Sequence, residues 1–394
     1  MDQPSDQQHN EVLFFSLLYS MATVMFGGAV ARQLLKHELQ MGARSAFILL
    51  LLFIGESVCF VALPGYSGLS LFAVACLLSY CTLPSTGLLP VQEKAILITG
   101  CDSGFGHALA KYLDKMGFIV YAGVLHLDGP GSQDLKADGS NRLTVLQLDV
   151  TSSEQIAKTF AKMKAELKNK GLWGVVNNAG ILEFVADAEL LPMNIYKRCM
   201  EVNFFGAVEL TKMFLPLLRQ AKGRLVNITS IAGSTPLPWF AAYGASKAAL
   251  SMFSSVLRQE LAIWGVKVAI IQPGGFKTGI FGTTDHWSNQ HKQIVQQLSP
   301  DVKTDYGENY IISFKEKYAK WQATLQEDLQ PVLNDISIAL IAKNPKPLYT
   351  PGKAAFLLPV IMNYLPTCLS DFFIYQFFAS GQGNVPDGVK ETGS

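Results

Sequence analysis

The sequence predicts an α/β fold: a doubly wound parallel sheet, preceded by transmembrane helices and followed by a helical C-terminal cover. Three observations point there. The 394-residue chain is 49% hydrophobic and only 16% charged, and the apolar surplus gathers at its two ends. From Pro90 onward, short apolar runs alternate with amphipathic helical stretches, the pattern of parallel strands wrapped by helices. A glycine-rich turn joins the first of those strands to the first of those helices. The chain is therefore expected to divide into a membrane anchor over 1–90, a sheet domain over 91–280 and an apolar cover and extension over 281–394.

The anchor comes first. Val12 to Ala31 holds twenty residues without a charge, about 30 Å of helix and enough to cross a bilayer core. Ser45 to Leu63 and Gly65 to Leu83 are two further apolar runs separated at Pro64-Gly65, so three hydrophobic helices are expected. Glu56 lies inside the second and should face a partner helix or carry a proton, because a carboxylate within a span is costly. A cleaved signal peptide is not expected, since the first apolar run is too long and acidic residues precede it. Arg32, Lys36 and Arg44 between the first two runs, against Asp2, Asp6 and Glu11 before them, place that linker in the cytosol. Three spans then put the main domain in the cytosol, and two would put it in the lumen.

The sheet domain opens with the strand Ala95 to Thr99, followed by Gly100-Cys101-Asp102-Ser103-Gly104-Phe105-Gly106 and a helix from His107. Glycines at such a turn let the backbone approach a pyrophosphate, and the free N–H groups and dipole of the helix N-terminus favour the anion. This predicts a Rossmann-type dinucleotide site at Thr99, Gly100, Asp102, Ser103, Gly104, Phe105 and Gly106. The second strand, Phe118 to Val124, ends without a carboxylate for a ribose 2′-hydroxyl or an arginine for a 2′-phosphate. Asp102 is the remaining discriminator: a carboxylate about 5 Å from a phosphate would repel it by about 3 kcal/mol per unit charge at an effective dielectric near 20. NAD is expected over NADP on that ground, and the competing reading of Asp102 is a cap on the following helix.

Asp149, at the end of the third strand, could accept a hydrogen bond from the adenine amino group. Asn178, Ala179 and Gly180 end the fourth apolar run after Asn177, where a glycine lets a cofactor come close. Asn203 is polar in an apolar helix-like stretch and needs buried partners. After the last core strand, Lys267 to Ile271, the loop carrying Pro273, Gly274 and Thr278 can pass beside a nicotinamide.

Between these lie the residues that suggest chemistry. Ser230 ends the strand-like run from Arg224, and Tyr243 and Lys247 are four apart at the start of a helix, on one face. A tyrosine titrates near pH 10, so a general base needs a neighbouring cation. Lys247 could supply it, lowering the phenol by about three units, or about 4 kcal/mol, and a positively charged nicotinamide would add to that. Asn203, Ser230, Tyr243 and Lys247 are the candidate catalytic residues, with Ser230 and Tyr243 also facing the substrate.

The loops expected around the nicotinamide carry Leu182, Phe184, Pro236 to Phe240, Phe276, Ile280 and Phe281, with no arginine or lysine pair to clamp a carboxylate. An apolar substrate follows. Residues 279–330, with Trp287, Tyr306, Tyr310 and Trp321, form the expected cover. Tyr349 to Phe378 is broken by Pro351, Pro359 and Pro366, so it reads as a lid or a membrane-facing lip instead of a straight span. A net charge of +1 with no basic run excludes a nucleic-acid footprint. Neither the six cysteines nor the six histidines fall at metal-ligand spacing, so no metal site is expected.

The set Thr99-Gly100-x-x-x-Gly104-x-Gly106, Asn178-Ala179-Gly180, Asn203, Ser230, Tyr243-x-x-x-Lys247 and Pro273-Gly274 resembles the short-chain dehydrogenase/reductase family, over roughly residues 94–280. The resemblance implies that Tyr243 is the acid/base, that Ser230 hydrogen-bonds the reacting oxygen, that Lys247 lowers the tyrosine pKa and holds the ribose, and that Asn203 positions a relaying water. A longer resemblance, through Leu88 to Val91, Asn203 to Gly206, Gln272 to Phe276 and Tyr349 to Lys353, is to the steroid-oxidising branch that also holds retinol and 3-hydroxybutyrate dehydrogenases. It implies NAD-dependent oxidation of a steroid 17β-hydroxyl, estradiol to estrone or testosterone to androstenedione, at the endoplasmic reticulum membrane. The alternatives are a membrane-bound retinol dehydrogenase, which would use the same residues, and a non-catalytic membrane scaffold or binder on the same fold, which would show a broken tetrad. Oligomeric state stays open, a homodimer included.

Overall fold

The computed structural model describes residues 4–35, 43–63, 65–83, 87–281, 292–379 and 385–391. Asp2, Lys36, Pro64, Trp287 and the side chain of Phe281 lie outside that description. The chain divides into two compact units, Met1–Leu89 with Ala342–Asn344, and Pro90–Ile341 with Pro345–Ser394.

In the first unit, helices α1 (Pro4–Leu35), α2 (Ala43–Ala62) and α3 (Tyr66–Thr82) follow one another. Glu11–Arg32 and Ser45–Ala62 are long and apolar enough to cross a membrane, and α3 is the shorter apolar helix. At 17 residues it spans about 26 Å. Tyr19, Cys59, Phe72 and Cys76 pack between the three. The Thr23 hydroxyl of α1 donates to Glu56 Oε1 of α2 at 2.7 Å, so the carboxylate faces a partner helix as its position requires.

The second unit is built on a parallel sheet of order β3-β2-β1-β4-β5-β6-β7. Its strands are β1 (Ala95–Ile98), β2 (Ile119–Val124), β3 (Leu143–Gln147), β4 (Gly174–Asn177), β5 (Arg224–Ile228), β6 (Lys267–Ile271) and β7 (Leu348–Tyr349). Residues Ile96 to Ile98 are fully buried, each worth about 1.5–3 kcal/mol of apolar burial. One face of β1 carries Ile96 and Ile98 against α4 (Gly104–Met116), and the other carries Leu97. This is the period-two alternation of a strand covered on both sides. The chain order reverses about β1 and β4, and ligand crevices open at such a switch point beyond the strands' C-terminal ends.

The sheet continues past β6. Helix α12 (Gln330–Ile341) buries Val332, Leu333, Ile336, Ala339 and Leu340 in the same core, and β7 pairs with β6 through Ile271 and Tyr349. Tyr349, read above as the start of a lip, is 5% exposed and belongs to the core. Helices α10 (Pro300–Tyr306) and α11 (Glu308–Gln322) cover the loop after β4. Tyr306 donates to Glu189 at 3.1 Å, and Tyr310 donates to Asp187 at 2.7 Å.

Candidate active site

The glycine turn is built for close approach. Gly100 (φ 70) and Gly104 (φ 60) sit in the left-handed region, and a Cβ on Gly100 would lie 2.8 Å from Ala179 Cα. Gly106 has no such angle, but a Cβ there would collide with the Gly100 carbonyl and the Asn178 amide. Thr99 Oγ1 accepts from the backbone of Asn178 and Ala179 at 3.0 and 2.9 Å, and Asn178 Nδ2 donates to the carbonyls of Thr99 and Gly100. Thr99 and Gly106 therefore shape the turn from beneath.

Asp102 does not cap the following helix. Its carboxylate accepts from the backbone N–H groups of Leu125 (2.9 Å) and His126 (3.1 Å), while the N-cap of α4, Ser103, makes no capping bond. Hydrogen bonds from backbone N–H groups to an ionised acceptor are among the stronger ones, and here two residues just beyond β2 supply them. The carboxylate missing from the end of β2 in sequence is thus supplied there through space. Asp149 is less well placed for a cofactor: its Oδ1 accepts from Thr151 N and Oγ1 at 2.9 and 2.8 Å, and it is absent from the cavity wall.

Helix α9 (Ala241–Glu260) carries Tyr243 and Lys247 over the end of β5. Ser246, Lys247, Leu250, Ser254 and Leu257 mark its buried face. Ser230, just beyond β5, hydrogen-bonds the Tyr243 phenol. Lys247 Nζ donates to the Ile228 carbonyl at 3.0 Å and stands 5.8 Å from the centre of the Tyr243 ring. Gly180 passes between Lys247 and Asn203, where a Cβ would lie 3.1 Å from the ammonium and 3.2 Å from Asn203 Oδ1.

Asn203 occupies a π-helical turn, Glu201–Gly206, at the head of α8 (Ala207–Ala221) and is fully buried. Its amide accepts from Ile181 N at 2.8 Å and donates to Ile181 O and Ser246 Oγ, each at 2.9 Å. The side chain ties the loop after β4 to α9, and both amide hydrogens are already committed.

Charge in this site departs from the expectation above. Burial pushes Tyr243 up to about 12, opposed by the Ser230 hydrogen bond, and pushes Lys247 down to about 8. Desolvation is the largest cause of both shifts, and the ammonium donates to the Ile228 carbonyl at 3.0 Å. The phenol is therefore neutral at rest, the state that donates a proton.

Most of these residues face a cavity of about 1210 Å³. Of the residues singled out in the sequence, Gly100, Asp102 to Phe105, Asn178 to Gly180, Ser230, Tyr243, Lys247, Pro273, Gly274 and Thr278 line it. Thr99, Gly106, Asp149 and Asn203 do not. Its apolar lining includes Leu182, Leu237, Phe240, Phe276, Trp321 and Phe373. Three lining residues carry charge that sequence reasoning missed: Glu183, its ion-pair partner Arg198, and the exposed Lys353. Nothing in spacing or periodicity marks a contact between Glu183 and Arg198. Among the described residues, no group of acidic, histidine or cysteine side chains could hold a metal ion.

A glycine cradle at the switch point, opening beside a half-buried serine and tyrosine and a buried lysine, belongs to a defined class, and comparison with known proteins agrees. The chain belongs to the short-chain dehydrogenases: the family model for short chain dehydrogenase matches residues 94–289. It is an oxidoreductase of that family, whose members use nicotinamide cofactors. The chain is 50% identical over 322 residues to the 17-beta-hydroxysteroid dehydrogenase type 2 of Homo sapiens, covering 82% of this chain and 83% of that one. It is 46% identical over 290 residues to the 11-beta-hydroxysteroid dehydrogenase type 2 of Oryctolagus cuniculus, covering 74% and 71%. A solved short-chain dehydrogenase from Streptomyces avermitilis is 26% identical with a TM-score of 0.53, over 73% of this chain and 98% of that chain.

Proposed function

We propose that this chain oxidises the 17β-hydroxyl of a steroid, estradiol to estrone or testosterone to androstenedione, with NAD as the hydride acceptor. One observation carries the reading: the Ser230–Tyr243 hydroxyl pair opens into a cavity whose walls are mainly apolar, which suits an uncharged alcohol. The likeness to two steroid dehydrogenases narrows that alcohol to a steroid.

The residues present fit a nicotinamide dinucleotide. Gly100, Ser103, Gly104 and Phe105 would take the pyrophosphate, Asn178 to Gly180 the middle of the molecule, and Pro273, Gly274 and Thr278 the nicotinamide end. Asp102 beside the end of β2 would disfavour a 2′-phosphate, which supports NAD. When bound, the cofactor accepts a hydride and brings a positive ring to the site. Ser230 orients the reacting oxygen, and Tyr243 takes the proton released from it. For Tyr243 to accept that proton its phenolate must be made accessible, and added positive charge beside it acts in that direction. Lys247 holds ribose hydroxyls, and Asn203 fixes the loop that Ile181 begins.

We place the protein in the endoplasmic reticulum membrane with the catalytic residues in the cytosol, anchored by residues 1–90, with a catalytic region over 91–280 and a cover over 281–394. Helices α13 (Leu357–Tyr364) and α14 (Thr367–Ala379) support a membrane-facing lip. Leu358, Ile361, Met362 and Ile374 line the cavity, while Phe356, Leu357, Tyr364 and Phe372 are exposed. A steroid dissolved in lipid would enter there.

The test is the initial rate of NADH or NADPH formation by membranes carrying the full chain, with matched 17β- and 11β-hydroxysteroids, retinol and 3-hydroxybutyrate. Selective oxidation of the 17β-hydroxysteroids with NAD is expected. Turnover confined to retinol, 3-hydroxybutyrate or the 11β-hydroxysteroids would contradict it, and no turnover at all would favour a binder.

A further inference from the structure

Helix α11 supplies part of the wall of the substrate cavity. Its Ile311 and Phe314 are buried, and its rings reach Tyr243 through two neighbouring residues of the loop before α9. Ring centres lie 5.3 Å apart between Tyr310 and Phe314 and 5.9 Å apart between Phe314 and Trp239. The same separations are 5.3 Å between Trp321 and Phe240 and 6.5 Å between Phe240 and Tyr243. Trp321 and Phe240 both line the cavity, whereas the glycine turn is made by other elements.

The start of α11 cannot cap itself. Its N-cap is Gly307, with φ 74 and ψ 148, a backbone that glycine tolerates best, and glycine has no side chain to accept from the N–H groups of the first turn. A carboxylate comes to that place from the far end of the chain. A Cβ on Gly307 would collide with Asp387 Oδ2 and lie 2.5 Å from its Cγ, so the Asp387 side chain stands against the N-cap backbone. Asp387 opens the short helix α15 (Asp387–Glu391). Gly388 follows it, and a Cβ there would lie 3.4 Å from the Asp305 carbonyl of α10. Helix α15 thus lies across the junction of α10 and α11, with a carboxylate at the end of α11 where the free N–H groups and the helix dipole favour an anion.

We infer that Asp387 is a positioning residue for substrate binding: it caps α11 from the C-terminal segment and so keeps Trp321 and Phe240 in the cavity wall. The inference rests on the steroid-alcohol reading above for its kinetic readout. When the binding-competent arrangement of a wall is only partly populated, apparent affinity falls by that fraction, and saturating ligand restores the arrangement. Loss of the cap therefore raises KM for the steroid and spares both kcat and KM for NAD.

The experiment compares the parent chain with Asp387→Leu, Asp387→Asn and a deletion of residues 385–394, each in membranes. KM for estradiol or testosterone should rise about two- to fivefold in Asp387→Leu and in the deletion, the size of a lost N-terminal cap, with kcat and KM for NAD unchanged. Asparagine caps a helix about as well as aspartate, so Asp387→Asn should stay close to the parent. Hydrogen exchange on the solubilised proteins, without substrate, should quicken over residues 308–314 in Asp387→Leu and in the deletion, and stay at the parent rate in Asp387→Asn. An unchanged KM or unchanged exchange in Asp387→Leu overturns the inference while leaving steroid oxidation standing. So does equal damage in Asp387→Asn, or a loss that falls on kcat instead of KM. If no 17β-hydroxysteroid reacts, the proposed function fails, and the exchange rates alone decide whether Asp387 caps α11.

Discussion

Burial shifts Tyr243 up and Lys247 down, so at neutral pH the phenol is neutral while the lysine still carries its charge, and their roles turn on what shifts them further. Removing the phenol oxygen in Tyr243→Phe should lower steroid oxidation by about 10²- to 10⁴-fold, the usual size of a general acid/base contribution. Cofactor binding, followed by NADH fluorescence, should change little. Lys247 has its pKa lowered to about 8, so its ammonium is complete below that pH and lost above it. If that charge holds the ribose, NADH affinity should weaken as pH rises through about 8, and Lys247→Arg should remove the weakening; a flat titration in the parent would count against the role. Asp102→Asn should raise the NADP-to-NAD ratio of kcat/KM, chiefly through KM. An unchanged ratio would mean that its hydrogen bonds to Leu125 and His126 serve the turn alone.

At the scale of elements, the site depends on buried polar ties between strands and helices. Asn177 Nδ2 donates to Thr211 Oγ1 at 2.9 Å and to Asn227 Oδ1 at 2.8 Å, and Asn227 Nδ2 donates to Ser254 Oγ at 2.7 Å. This chain links β4, β5, α8 and α9. Asn227→Ala would strand two of those groups, and a loss of about 1–3 kcal/mol is expected, visible as a lower midpoint in thermal unfolding of solubilised protein. Local features were legible in the sequence: the glycine turn between strand and helix, the apolar runs that became β1 to β6, and Tyr243 with Lys247 on one helical face. Features that depend on long-range contact were not. Strand β7 is two residues long, too short for an alternating pattern, and α12 has the even apolarity of a helix buried widely instead of a single stripe. The partner of Asp102 and the Glu183–Arg198 pair join segments with no shared periodicity. The direction of the Tyr243 shift was misread because desolvation depends on packing, which residue spacing does not report.

For the whole molecule, the apolar surplus of the composition resolves into helices α1 to α3 and into the exposed faces of α13 and α14. Deleting residues 1–83 should release the protein from sedimenting membranes while sparing the residues of the cavity, none of which falls in that stretch. A full-length chain that stays in the supernatant would refute the anchor. If the truncated chain still binds lipid vesicles weakly, the lip on α13 and α14 accounts for it, and Phe356→Ser with Phe372→Ser should abolish the residue of binding. The central claim, that Tyr243 and Ser230 direct a hydride from C17 of a steroid to NAD, is tested most directly with estradiol carrying deuterium at the 17α position. Incubation with membranes and NAD should yield estrone and singly deuterated NADH in equal amounts, and Tyr243→Phe should yield almost none of either. Undeuterated NADH formed alongside consumed estradiol, or full activity in Tyr243→Phe, would contradict it.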